Sequence, residues 1–231
     1  MQQPYQVFDQ TAQDALVEQR NKVLRSTYIL LAISMIPTVL GAVMGMRVGF
    51  ALFPSSPVLS LILFLGIAFG LMWGIERTKN SATGIVLLLA FTFFMGLMLS
   101  GILRVALGFS NGTTLVAMAA IGTGAIFFTL AGIATTTKKD FSYLGKFLFV
   151  GLITLILAIV ANLFFQIPAL HLTISAVAIL LFSGFLLYDI SRIVHGGETN
   201  YITATLAVYL NLYNIFVHLL RLLMIFTGSR E

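Results

Sequence analysis

Cysteine is missing from all 231 residues, which excludes disulfides, a thiolate nucleophile and any Cys-ligated metal. Charge is nearly as scarce. Charged residues make up 9% of the chain, against about 25% in an ordinary soluble domain. Hydrophobic residues make up 59% and the mean hydropathy is +1.02, so there is too little polarity to coat a water-facing globule. A His-Glu-x-x-His zinc motif and a phosphate-binding glycine loop are also lacking. Ser183-Gly184 sits in an apolar run without a G-x-S-G context, and His195 with Glu198 supplies only two candidate metal ligands. No catalytic residue and no firm metal site emerge, and the chain does not read as an enzyme.

What is present is a series of apolar runs about twenty residues long, the length that crosses a bilayer as a helix. They are Thr27–Met46, Pro57–Ile75, Ala82–Ile102, Thr113–Ala134, Phe147–Phe165, Ile167–Tyr188 and Tyr201–Phe226. Helices are required because a bilayer offers no water to unpaired backbone groups. A β-barrel would instead show short alternating strands. The expected fold is an all-α polytopic bundle of seven transmembrane helices (27–231) preceded by a flexible tail (1–26). Only Gln166 and Pro168 separate the fifth and sixth runs, so those two must form a tight hairpin.

Basic residues report the orientation. Arg20, Lys22, Arg25, Arg77, Lys79, Lys138, Lys139, Lys146 and Arg192 fall on one side; Arg47, Arg104, Arg221 and Arg230 fall on the other. The positive-inside tendency then places the N-terminus in the cytoplasm and the C-terminus outside. The net charge of +5 is thereby a topology signal, and no nucleic-acid-binding motif accompanies it. Twenty-six mostly polar residues precede a first run long enough to span, so a cleavable signal peptide is not expected. The Gln-rich tail from Met1 to Arg25 reads either as a solvated terminus or as a handle for a cytoplasmic partner or protease.

Glycine repeats mark helix faces. Gly41 and Gly45 in the first run, and Gly66, Gly70 and Gly74 in the second, recur every four residues and let a neighbouring backbone approach. Packing within the chain is expected there, with homodimerisation as the alternative. Pro37 removes one hydrogen bond from the first helix and should kink it.

Polar groups concentrate at the end of the chain. At about 100° per residue, Asn211, Asn214, His218 and Arg221 share an arc of roughly 80° on the last helix, extended by Thr203 and Ala207. Such a stripe faces other helices or a wet cavity. Tyr201, Tyr209 and Tyr213 offer further hydrogen bonds or interfacial anchors, and Arg221 could reach the surface by snorkelling. Asp189 closes the run Ile167–Tyr188, and an ionisable side chain at membrane depth costs about 2.5–3.5 kcal/mol even on lenient scales. Burial and hydrogen bonding from Asn211, Arg192 or Arg221 would act oppositely on its proton affinity. Two readings stand: Asp189 pairs with Asn211 as a proton-linked latch or cation ligand, or it caps the loop 190–200. Gly196-Gly197, between His195 and Glu198, most simply makes a turn.

The strings Leu187-Tyr188-Asp189 and Tyr209-Leu210-Asn211-Leu212-Tyr213-Asn214-Ile215-Phe216-Val217-His218-Leu219-Leu220-Arg221 resemble the last two spans of the Bax inhibitor-1 (transmembrane BAX inhibitor motif) family. Lys138-Lys139-Asp140-Phe141-Ser142-Tyr143-Leu144-Gly145 does so too. His195-Gly196-Gly197-Glu198-Thr199-Asn200-Tyr201-Ile202 and Pro168-Ala169-Leu170-His171-Leu172 are similar to the bacterial inner-membrane branch that modulates the protease FtsH. The resemblance covers the chain from Lys22 onward. It implies a central helix surrounded by six others, residence in a bacterial inner membrane, and FtsH as a partner. Calcium-leak members of the family use two aspartates between the last spans as a pH sensor; one matches Asp189 and the other falls at Asn211. An Asp–Asn pair lacks the shared proton of two carboxylates, and one carboxylate with amide oxygens is a meagre set for calcium.

Two function classes follow. One is a regulatory protein that occupies FtsH as a poorly extracted substrate. The other is a pH-sensitive cation (calcium) leak centred on Asp189 and the stripe of the last helix. No cofactor is implied beyond such a cation, and the oligomeric state is left open.

Overall fold

The computed structural model describes residues 4–50, 56–137 and 139–227. Seven α-helices make up the bundle: α1 (Pro4–Val48), α2 (Pro57–Thr78), α3 (Ala82–Leu107), α4 (Gly112–Thr136), α5 (Gly145–Phe165), α6 (Pro168–Val194) and α7 (Tyr201–Thr227). A 3-10 turn, Ser142–Leu144, leads into α5. All seven helices are long and apolar enough to cross a membrane. Large apolar side chains cover the outside, among them Phe69, Trp73, Phe128, Phe147 and Phe164. A surface of that kind is stable against lipid, whereas in water it would drive association.

Each expected span is present, and most helices run a turn or so past the apolar limits. The extension matters most at two places. On α6 the helix continues to Val194, so Asp189 lies inside it, five residues before its end. On α1 the helix starts at Pro4, so the described part of the tail is helical and joins the first span without a break. Gln, Ala, Leu, Arg, Lys and Glu make up about half of that stretch and favour helix. Adding turns to a helix that a membrane span has already nucleated costs little. At about 1.5 Å per residue α1 is roughly 67 Å long, about twice the hydrocarbon thickness. Met1 to Gln3, Lys138 and Arg230 lie outside the described residues.

α7 occupies the centre, in contact with α1, α2, α3, α4 and α6. The expectation of six surrounding helices is corrected here to five. Among the described residues α5 packs on no helix but α6, because the two-residue connection folds it back along α6's outer face. Gln166 takes a left-handed conformation (φ 50°), and the Ile167 backbone N–H donates to Asn162 Oδ1 at 3.0 Å. That is the tight hairpin the sequence required.

The closest helix–helix approach joins α1 to α3. A Cβ added to Gly96 would fall 2.1 Å from the Thr38 carbonyl oxygen, and one at Gly41 would fall 2.2 Å from that of Phe93. Gly45 lies against Ser100. The glycines of α1 thus serve packing within the chain, as expected. On α2 only Gly74 does so, against Leu87; Gly66 and Gly70 meet nothing within 4 Å. For those two the expectation of internal packing fails, because that face of α2 points away from the bundle.

A buried polar seam ties α7 to the α1–α3 pair. The Tyr209 hydroxyl is 2.9 Å from Thr38 Oγ1 and donates to the Thr92 carbonyl at 3.4 Å. Thr205 Oγ1 reaches the Thr27 carbonyl at 3.3 Å. Thr27, Ser34 and Thr38 also donate to carbonyls one turn back on α1, which satisfies hydroxyls that lipid could not.

Candidate functional site

Asp189 and Asn211 meet across the α6–α7 interface. Asn211 Nδ2 donates to Asp189 Oδ2 at 2.7 Å, within the short range of a charge-assisted bond. Asn211 is buried and Asp189 half-buried. The charges that act on Asp189 are Arg192 and Glu198, both toward the α6–α7 turn. Arg192 lies over the Tyr188 ring at 5.6 Å and donates from Nη2 to the Gly197 carbonyl at 2.9 Å.

The rest of the stripe divides into separate places. Asn214 Nδ2 turns back to the Leu210 carbonyl of its own helix at 2.8 Å. His218 is buried, with Nδ1 3.5 Å from Ser175 Oγ on α6 and its ring stacked on Phe182. Arg221 is exposed and lines a crevice with His171 and Ser175. It therefore does not neighbour Asp189, a partner the sequence had left open. The helical wheel put these residues on one face, but ten residues of α7 separate Asn211 from Arg221, roughly 15 Å along the axis.

The donor set at Asp189 does not fit a resident calcium ion. Calcium takes six to eight oxygen ligands; here one carboxylate is already engaged, and Asn211 presents its nitrogen. Among the described residues no cluster of three His, Asp or Glu side chains could hold a metal.

The loop motif is a helix cap and a clamp. Gly196 adopts φ +80°, and the Gly197 N–H closes the end of α6 on the Arg192 carbonyl at 2.7 Å. Gly196 and Gly197 do make the expected turn. Asn200 caps α7: its Oδ1 accepts from the backbone N–H of Ile202 at 2.9 Å and of Thr203 at 3.3 Å. Its Nδ2 donates to the Lys79 carbonyl at 3.0 Å and to Asn80 Oδ1 at 2.9 Å. Glu198 Oε1 accepts from the Asn200 N–H. Asp189 thus leaves the capping of this loop to Asn200. Arg20 lies over Gly196, where an added Cβ would come within 2.9 Å of Nε. We expect Asn200→Ala to destabilise the bundle by about 1–2 kcal/mol, read as a lowered Tm in detergent. An unchanged Tm would mean the cap carries no stability.

Beside this turn, Ser191, His195 and Asp140 come together. Ser191 Oγ is 3.3 Å from His195 Nδ1 and 3.4 Å from Asp140 Oδ1, and it accepts from the Phe141 N–H at 2.9 Å. Hydrogen bonds from Ser142 hold the Asp140 carboxyl below the usual carboxylate range. The residue types are those of a hydrolytic triad, but the geometry is not. A triad needs serine on one imidazole nitrogen and aspartate on the other. Here both approach Nδ1, which also lies 2.9 Å from the Ser191 carbonyl, and Ser191 is fully buried. The cluster fastens the α4–α5 connection to the end of α6.

Sequence reading missed Asp140, Ser191 and Asn200 as partners, together with Thr38, Thr92 and Ser175. Asn200 carried a usable signal, an asparagine directly before an apolar helical run. A serine or threonine inside an apolar helix carries none, since it is satisfied by its own backbone whatever it faces.

Comparison with known proteins adds to this geometry. Residues 20–228 match the family described as "Inhibitor of apoptosis-promoting Bax1". The chain is 44% identical over 203 residues to "Modulator of FtsH protease YccA" of Escherichia coli, covering 88% of this chain and 90% of that protein. It is 38% identical to an uncharacterised protein of Neisseria meningitidis, over 97% of this chain and 99% of the relative. An uncharacterised membrane protein of Vibrio cholerae is also 38% identical, over 96% and 98%.

Proposed function

Because the chain belongs to the Bax inhibitor-1 family, we propose that it regulates the membrane-bound AAA protease FtsH, which it binds as a poorly extracted substrate. The observation that carries this reading is the 44% identity to a protein named a modulator of FtsH, along nearly the full length of both chains. The fold supplies a physical reason for slow extraction. α1 extends well beyond the bilayer, and residues 13 to 19 are exposed, so a protease could grip them. The same helix is then held against α3 by glycine-mediated backbone contact and against α7 by Thr38 and Thr27. In this reading the protein lies in the bacterial inner membrane, with N-terminus cytoplasmic and C-terminus periplasmic.

Co-purification with FtsH, together with the degradation rate of a reporter membrane substrate, tests the reading. The full chain should associate with the protease and slow reporter loss. Removing residues 4–19 should restore reporter loss while leaving the seven-helix bundle folded. Absence of association, or full inhibition by the shortened chain, would sink the idea.

The Asp189–Asn211 contact favours one second reading, a cation leak with this pair on its path. Calcium flux into proteoliposomes separates the two. Flux that disappears in Asp189→Asn supports a leak, and silence in the parent rejects it.

A further inference from the structure

At the end of the bundle that carries the α3–α4 and α5–α6 connections, α3, α6 and α7 part to leave a crevice of ≈ 650 Å³. Its polar wall is Arg221, His171 and Ser175; its apolar wall is Val105, Phe109, Met224 and Ile225. The volume is within the range of small-ligand sites, about 300–1,000 Å³. Neither the Arg221 guanidinium nor the His171 ring has a hydrogen-bond or ion-pair partner among the described residues.

Among the described residues no counter-charge is at hand. Asp9, Asp14, Glu18, Glu76, Asp140, Asp189 and Glu198 all belong to the opposite half of the bundle or to the α1 extension. The remaining acidic residue, Glu231, lies outside the described residues. Arg221 sits six residues before the end of α7, roughly 9 Å along the axis. For a helix of roughly 40 Å, about the full thickness of a bilayer with its headgroups, that depth falls near where headgroups give way to acyl chains. An arginine there, facing a cleft with no acidic partner among the described residues, is placed to take an anion, and its planar fork suits two oxygens of a phosphate.

We propose that this crevice binds the phosphate of an anionic phospholipid. Arg221 holds the phosphate, and His171 and the Ser175 hydroxyl lie beside it. Ser175 is buried, and its hydroxyl lies 3.5 Å from His218 Nδ1 at the floor of the site. Phosphate is the chemistry the polar wall recognises; the apolar wall chooses its source. Val105 and Ile225 are more than half exposed, and an acyl chain leaving the headgroup would run along them. A free phosphate would leave that wall uncovered. The assignment is independent of any protease partner.

Native mass spectrometry and titration of the full-length protein in neutral detergent test the site. Short-chain phosphatidylglycerol, phosphatidylcholine of the same chain length, and inorganic phosphate are added separately. The parent should retain phosphatidylglycerol in preference to the other two. Arg221→Gln should weaken that binding about tenfold or more. Arg221→Lys should lose less, and Arg47→Gln, an exposed cation at the same end, should lose nothing. Arg221 is exposed, so a parent-like Tm for Arg221→Gln should show that weakened binding is not unfolding. Equal retention of phosphatidylglycerol by Arg221→Gln, or of phosphatidylcholine by the parent, overturns the proposal. Inorganic phosphate binding as tightly as phosphatidylglycerol overturns the lipid as its source.

Discussion

Asn211→Leu should destabilise the bundle by about 2–3 kcal/mol, and more than Asp189→Leu does. The asymmetry follows from what each change strands. Removing the amide leaves a carboxylate inside a helix interface without the bond that now satisfies it, and a bond to a charged group is worth about 1.5–3 kcal/mol. Removing the carboxylate leaves a neutral amide, and stranding a neutral group costs about 1–3 kcal/mol, less than stranding a charged one. Asp189→Asn should cost least, since two amides can still bond to each other. Reversible unfolding in detergent, followed by circular dichroism, ranks the three. Equal losses for the two leucine variants would show that the carboxylate's charge is not what the pair stabilises.

Alanine at Gly96 and alanine at Gly66 should shift stability in opposite directions. Both glycines lie inside helices, where alanine is intrinsically favoured by about 0.8–1.0 kcal/mol. At Gly66 nothing stands within 4 Å of the new methyl, so that preference should appear as a raised Tm. At Gly96 the obstacle is the Thr38 carbonyl at 2.1 Å. A backbone cannot rotate aside as a side chain does, so α1 and α3 must separate. Overpacking of this kind typically costs about 1–3 kcal/mol and at times more; a loss at the upper end is expected. The Thr38–Tyr209 bond should weaken as well, because it depends on where α1 sits. Gly96→Ala with a Tm at or above the parent's would mean that the α1–α3 seam is looser than these distances show.

The glycines also show where sequence reading stops. Gly41 and Gly66 begin the same four-residue spacing, and spacing reports only that a helix face is smooth. Whether a neighbour occupies that face is decided by the arrangement of seven helices. The spans were legible because hydropathy over twenty residues is a strong signal with one physical solution in lipid. The Asp189–Asn211 pair was legible for a related reason: an ionisable group in an apolar run needs a partner, and Asn211 lay on the polar face of the next helix. Whether Arg221 neighbours that pair stayed open in the sequence, because a wheel gives azimuth and omits depth. The cluster of Ser191, His195 and Asp140 joins residues 51 positions apart, and a fully buried serine looks like filler in the sequence. The helical tail was missed because a mixed-charge terminus looks the same on paper whether or not a membrane span has nucleated it.

The continuity of α1 has a mechanical consequence. A machine that grips its exposed end pulls on one continuous helix, and the force is carried along it, parallel to the seam with α3. Gly41, Gly45 and Gly96 therefore meet the load in shear, all at once, and the first step is a slip of the whole contact. Force applied across a seam instead opens it like a zipper, one contact at a time. Forced unfolding is governed by a rate and not by equilibrium stability. Two variants of equal Tm could then differ widely in how long they withstand a pull, according to whether the altered contact lies along that seam or elsewhere in the bundle.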